Sequence, residues 1–528
     1  MSEKKQTFLH GTALLAMSTA IVKLIGAFYS IPLKGIIGDV AFGYYSTAYE
    51  IYTLLLMIST AGLPVAMSRM ISQASSLEKH RQVRRIYATS RTIFLILGVL
   101  GTALMMIFCR QLAAFQRQPD AWITILALGP ACLLICLMST YRGFFQGQSN
   151  MKPTSVSQVL EAIVKLICGL GFAIGLLWYT SKQSIAAGGA IFGVTMSCLL
   201  SAIYLSICFR KHYRNLPAGN DTPDSSGSIA KQLLAIAIPI TIGSVGLHIL
   251  TVLETRVYMS QLLGFMNQQT ADLHKGIYNF IQKIFNMPCA FITPITISII
   301  PAITAQITTK DLKGAKATGE SAARITALIS MPCAVGLAVL AEPVTALLGG
   351  YTGENLVLAT NLMRVLGICI VFNATVLLTN AIMQAHGHVN LPVVNMFIGG
   401  FLKLAAIAIL TGNKHIGILG TPIGSLLCYL SITVLNIITV RRVLPDPPAI
   451  VKNMLRGALA AIIMGIGTFG VWFALKYLGI GSRVILCGAP IAVGAVLYIL
   501  SAIKLKAITR EDCLLLPKGE KIADLLHL

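Results

Sequence analysis

The stretch Tyr141–Leu166, YRGFFQGQSNMKPTSVSQVLEAIVKL, decides how this chain is read. It starts at the polar end of one long apolar run and enters the next, with Glu161 and Lys165 well inside that second run. A weaker copy occurs at Asn380–Leu404, NAIMQAHGHVNLPVVNMFIGGFLKL. Gln146 to Lys165 is nineteen residues and so is Gln384 to Lys403, although Pro153 and Pro392 stand one residue out of step. A second echo, GYYSTAYEIY from Gly43 and GIYNFIQKIF from Gly276, shares a Gly-x-Tyr start and apolar spacing. Both echoes lie about 235 residues apart, which points to two like-oriented halves of a duplicated transporter core.

Composition sets the class. Of 528 residues, 55% are hydrophobic and 11% charged, with a mean hydropathy of +0.77. A soluble domain carries about 25% charge. A membrane-crossing helix needs roughly 20 mainly apolar residues, and such runs follow one another almost end to end. The expectation is an all-α polytopic membrane protein with about fourteen transmembrane helices. Strands of an outer-membrane barrel would be about 10 residues long with strict alternation. The start, MSEKKQTFLHGTALLAMSTAIVKLIGAFY, is basic and then apolar, like a signal peptide. Its apolar run is too long, holds Lys23 and has no clear small-x-small cleavage site, so it reads as an uncleaved first span. The twelve cysteines are scattered, mostly through apolar runs, without a CxxC or a His/Cys cluster. They read as small buried hydrophobes. No GxxxxGK[ST], HExxH or GxSxG occurs. No catalytic residue, metal site or cofactor is expected, and the chain does not read as an enzyme.

Loop charges orient the spans. The second connection holds Arg69, Lys79, Arg81, Arg84, Arg85 and Arg91, and basic clusters recur in the sixth, eighth and twelfth. The odd connections are poor in Lys and Arg. This alternation places the even connections and both termini in the cytoplasm, in a multi-pass protein of the cytoplasmic membrane. It also absorbs the net charge of +22 without nucleic acid as a partner. Trp122, Trp178 and Trp472 fall at the expected outer ends. The Pro/Gly/Ser/Asp stretch NLPAGNDTPDSSGS from Asn215 is the best linker. The expected domains are a six-helix bundle at 1–209, a cytoplasmic linker at 210–231, and a second six-helix bundle at 232–440. Two additional helices at 441–505 and a cytoplasmic tail at 506–528 follow.

Charges within apolar runs are the informative residues. Each costs at least about 2.5–3.5 kcal/mol at a helix centre, so it normally faces a bundle interior or a wet cavity. The basic ones are Lys23, Lys165, Arg256, Lys283, Arg364 and Lys403; the acidic ones are Glu50, Glu161 and Glu254. Glu161 and Lys165 are four apart, which allows a mutual ion pair and does not stop them lining a cavity. Glu254 and Arg256 are two apart and point in different directions on a helix. Lys283 lies in a span that Pro288, Pro294 and Pro301 can kink. Arg364 and Lys403 are long enough to snorkel. The cationic excess favours an anionic substrate, best of all a phosphate. A cation exporter would show the opposite excess.

Two six-span halves plus two extra spans resemble the multidrug/oligosaccharidyl-lipid/polysaccharide exporter superfamily. The opening stretch is similar to the RGxxQGxxxMxPTxxSQxxE signature of its polysaccharide branch, with Arg142, Pro153, Ser157 and Glu161 in place. FLHGTALLAMSTAIVKLIGAFYSIPLKGIIG from Phe8 and GLPVAMSRMISQAS from Gly62 resemble more closely the group of stage V sporulation protein B and the MurJ-like lipid II flippases of Gram-positive bacteria. The resemblance covers nearly the whole chain. It implies a V-shaped pair of bundles that alternates access by rocking, a central cavity, and a groove, made with the two extra helices, for a polyprenyl tail. In Gram-negative members, arginines on spans one, two and eight line the cavity. Carried over by position, one falls at Lys23, a later one near Tyr29 and the second-span one near Leu56; Lys283 is the counterpart on span eight. The implied function is translocation of an undecaprenyl-pyrophosphate-linked saccharide, lipid II foremost. Lys23, Lys165, Lys283 and Arg256, with Arg364 and Lys403, would bind the pyrophosphate. Glu161, Glu254 and Glu50 are the candidates for coupling to H+ or Na+. Membrane lipids and cell-wall synthesis proteins are further expected partners. The alternatives are a drug/cation antiporter of the same superfamily, using Glu161 or Glu50, and a non-transporting scaffold for cell-wall synthases.

Overall fold

A computed structural model describes residues 2–507 apart from Leu216 and Ala218. The side chains of residues 2–16, Ala20, Lys23, Leu24, Ala27, Ser59, Gly243, Leu247 and residues 294–298 lie outside the described set. Lys23, a candidate ligand by sequence, is among them. The described residues form helices joined by short connections, with no strand among them.

The chain divides into two compact units, Met1–Asn279 and Phe280–Leu528. Unit 1 holds α1 (Ser2–Thr60), α2 (Leu63–Ser76), α3 (His80–Ile107), the short α4 (Cys109–Phe115), α5 (Trp122–Gly147), α6 (Lys152–Thr180), α7 (Gln183–Arg214) and α8 (Ser226–Leu262). It also takes the first turns of α9 (Gln268–Thr308). Unit 2 holds the rest of α9, α10 (Leu312–Val339), α11 (Ala341–Leu348), α12 (Gly353–Ala385), α13 (Asn390–Thr411), α14 (Gly420–Val443), α15 (Ile450–Tyr477) and α16 (Arg483–Lys504).

The protein is all-α and polytopic. Twelve segments of the described residues are long and apolar enough to cross a membrane, where fourteen were expected. Two places account for the difference. α1 is two helices run together across Gly38, whose φ of 76° and ψ of 172° break the helix; glycine adopts that conformation without steric cost. α9 is not among the twelve: the side chains of residues 294–298 fall outside the described set, and of its second half Ile299–Thr308 is counted as a shorter apolar helix.

The decisive sequence stretch is a helix–turn–helix. α5 ends at Gly147, and α6 starts at Lys152 with Pro153 in its first turn, where its missing N–H costs nothing. The second copy has the same local form: α12 ends at Ala385 and α13 starts at Asn390. Lys165 and Lys403 each lie thirteen residues past the first residue of their helix. α6 and α7 then pack backbone to backbone. A Cβ added at Gly193 would sit 2.4 Å from the Cα of Gly169, so this seam needs glycine on α7, while a Cβ on Gly169 would meet Tyr29 Oη of α1 at 2.4 Å.

The boundary between the units falls inside α9 and not in the Pro/Gly/Ser/Asp linker. α8 packs on α1, α2 and α3, which puts the linker within unit 1. The linker is also pinned. Its Asp221 accepts hydrogen bonds from the backbone N–H groups of Arg81 (2.8 Å) and Gln82 (2.7 Å), capping the start of α3 from 140 residues away. Gln82 and Asp224 exchange two more, Gln82 Nε2 to Asp224 Oδ2 at 2.9 Å and Asp224 N to Gln82 Oε1 at 2.7 Å. Desolvation, the largest single influence, pushes the Asp221 carboxyl up, but the amides of Arg81 and Gln82, its own amide and the Arg81 charge together outweigh it, and it lies below the usual carboxylate range. A carboxyl depressed in the folded state stabilises it above the unfolded value of about 3.9. That contribution is lost as pH falls through the folded value. Asp221→Ala should therefore raise amide exchange at Arg81 and Gln82 at neutral pH. Wild type should do the same only on acidification below the ordinary carboxylate range. Unchanged exchange in the variant would refute the cap.

Candidate functional site

The polysaccharide-branch signature folds into one hydrogen-bonded unit. Arg142 lies near the end of α5. Ser157 and Glu161 stand four apart on α6, on one face. Arg142 Nε donates to Ser157 Oγ at 3.0 Å, and Nη2 donates to Glu161 Oε2 at 3.0 Å. Ser157 Oγ in turn donates to the Thr154 carbonyl at 2.7 Å. Ser18 Oγ of α1 donates to Gln158 Oε1 at 3.3 Å. The guanidinium presents two N–H groups in a fixed fork, and a hydroxyl and a carboxylate one helical turn apart match that fork.

Lys165 sits one turn further along α6. Its ammonium is 4.7 Å from the ring centroid of Tyr49 and 5.3 Å from that of Tyr29, and it donates to Tyr49 Oη at 3.3 Å. The two tyrosines are fixed in turn. Tyr29 is 2% exposed, and Tyr49 stacks on Tyr45 with centroids 5.9 Å apart. These groups, with Val22, Gly26 and Gln158, line a cavity of about 250 Å³. The Glu161–Lys165 pair that the spacing allows does not form, because Arg142 takes the carboxylate. Among the described residues, no carboxylate oxygen lies within 4.0 Å of the Lys165 ammonium.

The remaining sequence candidates are dispersed. Glu50 accepts from Thr255 Oγ1 at 2.8 Å. Glu254 is buried, 6% exposed, on α8. Arg256 does not reach the cavity. It donates to the Phe115 carbonyl at 2.6 Å, at the end of α4, and lies over the Phe115 ring at 4.3 Å. Lys283, Arg364 and Lys403 belong to unit 2; Arg364 is exposed there and the two lysines are half-buried. Sequence reasoning placed Arg142 in the family signature but not among the candidate site residues. It noted Tyr29 only as a departure from an arginine pattern, and passed over Tyr49.

It also passed over a second buried polar group in unit 1. Asp272 Oδ1 accepts from Gln118 Nε2 (2.8 Å) and Gln268 Nε2 (3.1 Å), while Oδ2 accepts from Tyr44 Oη (3.1 Å). Lys275, fully buried, donates to Thr47, which donates to Gln118. The backbones are close here: a Cβ on Gly276 would lie 1.9 Å from the Asp39 carbonyl oxygen. The two Gly-x-Tyr echoes of the sequence thus meet at this point, Gly43 lying beside Asp272 and Gly276.

Unit 2 has its own cavity, an apolar groove of about 670 Å³ walled by α9, α10, α11, α15 and α16. Met287, Pro332, Met464, Ile491 and Tyr498 lie along it, and among the described residues no charged side chain lines it.

Residues 8–306, more than half of the chain and including the whole Arg142–Glu161 signature, match the family described as polysaccharide biosynthesis protein. The chain belongs to that family. Within the multidrug/oligosaccharidyl-lipid/polysaccharide exporter superfamily it stands in the polysaccharide branch. Stage V sporulation protein B of Bacillus subtilis (strain 168) is 25% identical over 528 residues, covering 97% of this chain and 98% of that protein. Lipid II flippase MurJ of the same organism is 24% identical over 412 residues, covering 75% of this chain and 76% of that protein. A solved structure of lipid II flippase MurJ in an inward closed conformation has the same fold, with a TM-score of 0.67 at 15% identity, over 93% of this chain and 98% of that one.

Proposed function

We propose that this member of the polysaccharide biosynthesis protein family is a flippase. It carries an undecaprenyl-pyrophosphate-linked saccharide, lipid II first among the candidates, across the cytoplasmic membrane by alternating access. The observation that carries this reading is the Lys165 ammonium, set in a cavity whose carboxylate, Glu161, is held by Arg142, with no carboxylate oxygen of the described residues within 4.0 Å of it. A fixed charge inside a membrane protein is costly unless something compensates it, and an anion does so. The cavity, about 250 Å³, is smaller than the roughly 300–1,000 Å³ that bury a drug-sized ligand. It suits a diphosphate better than a sugar–peptide head. Arg142 is already held by Ser157 and Glu161, so it acts as a positioning residue. The apolar groove of unit 2 supports a polyprenyl tail as the other end of the substrate.

No covalent bond changes in such a cycle. Lys23 and Lys283 are retained as further pyrophosphate ligands, and Glu161 and Glu254 as candidates for coupling to H+ or Na+. The basic even-numbered connections support cytoplasmic termini. The drug/cation antiporter reading is disfavoured by the same ammonium, which repels the substrate that reading requires.

Native mass spectrometry of the purified protein tests the proposal. Wild type should retain lipid II over a neutral-headed polyprenol. Lys165→Ala should weaken that retention about tenfold or more, about 1.4 kcal/mol, with smaller losses in Lys23→Ala and Lys283→Ala. No preference in wild type, or equal retention by Lys165→Ala, overturns it.

A further inference from the structure

Two tyrosine rings and a carboxylate meeting in one cavity are the parts of a binding site for an organic cation. Tyr29 and Tyr49 supply the rings and Glu161 the carboxylate. The seat is taken by the chain's own Lys165, whose ammonium lies 4.7 and 5.3 Å from the two ring centroids. We infer that Lys165 is a specificity-determining residue: a tethered cation that occupies a cation site and thereby closes the cavity to free organic cations.

The physical case rests on linkage. A tethered group competes intramolecularly, at an effective concentration of about millimolar or more. A free cation must displace it, and then sits beside a displaced ammonium of the same sign. Arg142 reinforces the block by holding the Glu161 carboxylate at 3.0 Å, so this negative group does not pull Lys165 off the rings. Neutralising Lys165 leaves the rings, Gln158 and Glu161 around an empty seat. The inference goes beyond the flippase reading and does not depend on which anion the protein carries.

Saturable binding of labelled tetraethylammonium to the purified full-length protein is the test, with excess unlabelled probe as competitor. Wild type and Lys165→Arg should show no saturable binding at millimolar probe. Lys165→Met and Lys165→Gln should bind at least about tenfold more tightly than wild type, the scale of two ring contacts. Adding Tyr29→Leu and Tyr49→Leu should abolish the gain. Acetylating the lysines of already folded wild type removes the charge without refolding. It should reproduce the gain once peptide mapping shows Lys165 modified, and it should do nothing in Lys165→Arg. Absence of any gain, or a gain that survives loss of both tyrosines, overturns the inference. Lipid II retention, measured on the same samples, reports separately: its absence from wild type would sink the flippase reading and leave the cation result standing.

Discussion

Asp272→Ala should destabilise the protein by about 3–5 kcal/mol, the scale found when one member of a buried charged group is removed. Asp272 is 1% exposed and Lys275 is fully buried. The carboxylate receives three side-chain hydrogen bonds, from Tyr44, Gln118 and Gln268. Truncation leaves all three donors without their acceptor. It also removes the buried negative charge three residues before the fully buried Lys275 ammonium. Asp272→Asn keeps an acceptor, so its cost should be smaller, about 1–3 kcal/mol. The telling comparison is Asp272→Ala with Lys275→Met. Removing both charges should recover much of the loss, because an apolar pair avoids the cost of an unpaired buried ion. Thermal unfolding in detergent measures this. If the double variant is no better than Asp272→Ala, Lys275 is not compensated by Asp272.

Arg142→Ala should reduce substrate retention as strongly as loss of Lys165 itself. The side chains of Arg142 and Glu161 are 19% and 27% exposed, so the stability cost is reduced by solvent, to about 2 kcal/mol. The functional cost comes through Lys165. Once Arg142 is gone, Glu161 is free to pair with Lys165 four residues further along the same helix face. That pair would neutralise the charge proposed to hold the pyrophosphate. Arg142→Ala should therefore lose lipid II about as strongly as Lys165→Ala does. Adding Glu161→Gln should restore retention, since no carboxylate remains to capture the lysine. If the double variant stays as weak as the single one, Arg142 contacts the substrate itself or holds the cavity open by packing.

The helices and the family signature were legible in the sequence because apolar run length reports directly on membrane crossing and the signature is a contiguous stretch. Lys165 was legible for the same reason, as a charge that had to be explained. Its partners were not. Spacing permitted a Glu161–Lys165 pair, but only the approach of α5 shows that Arg142 claims the carboxylate. Tyr49 lies 116 residues from Lys165 and reads, in sequence, as one more aromatic in an apolar run. Asp272 and Lys275 were missed because they flank an apolar run, where charge is unremarkable. Their burial depends on contacts with Tyr44 and Thr47, each 228 residues away. The Asp221 linker had a flexible composition, yet its carboxylates found the unsatisfied N–H groups that every helix start leaves.

Those carboxylates also set a mechanical limit. Asp224 is bound to Gln82 at the head of α3, and α8 begins two residues later at Ser226. An extended chain reaches at most about 3.3–3.6 Å per residue, so the head of α8 stays within roughly 7 Å of that anchor while the bonds hold. The linker thus behaves as a short leash, and the heads of α3 and α8 travel together as the end of one lever. Any bending within unit 1 that separates these helices has to take place further along them, beyond the leash.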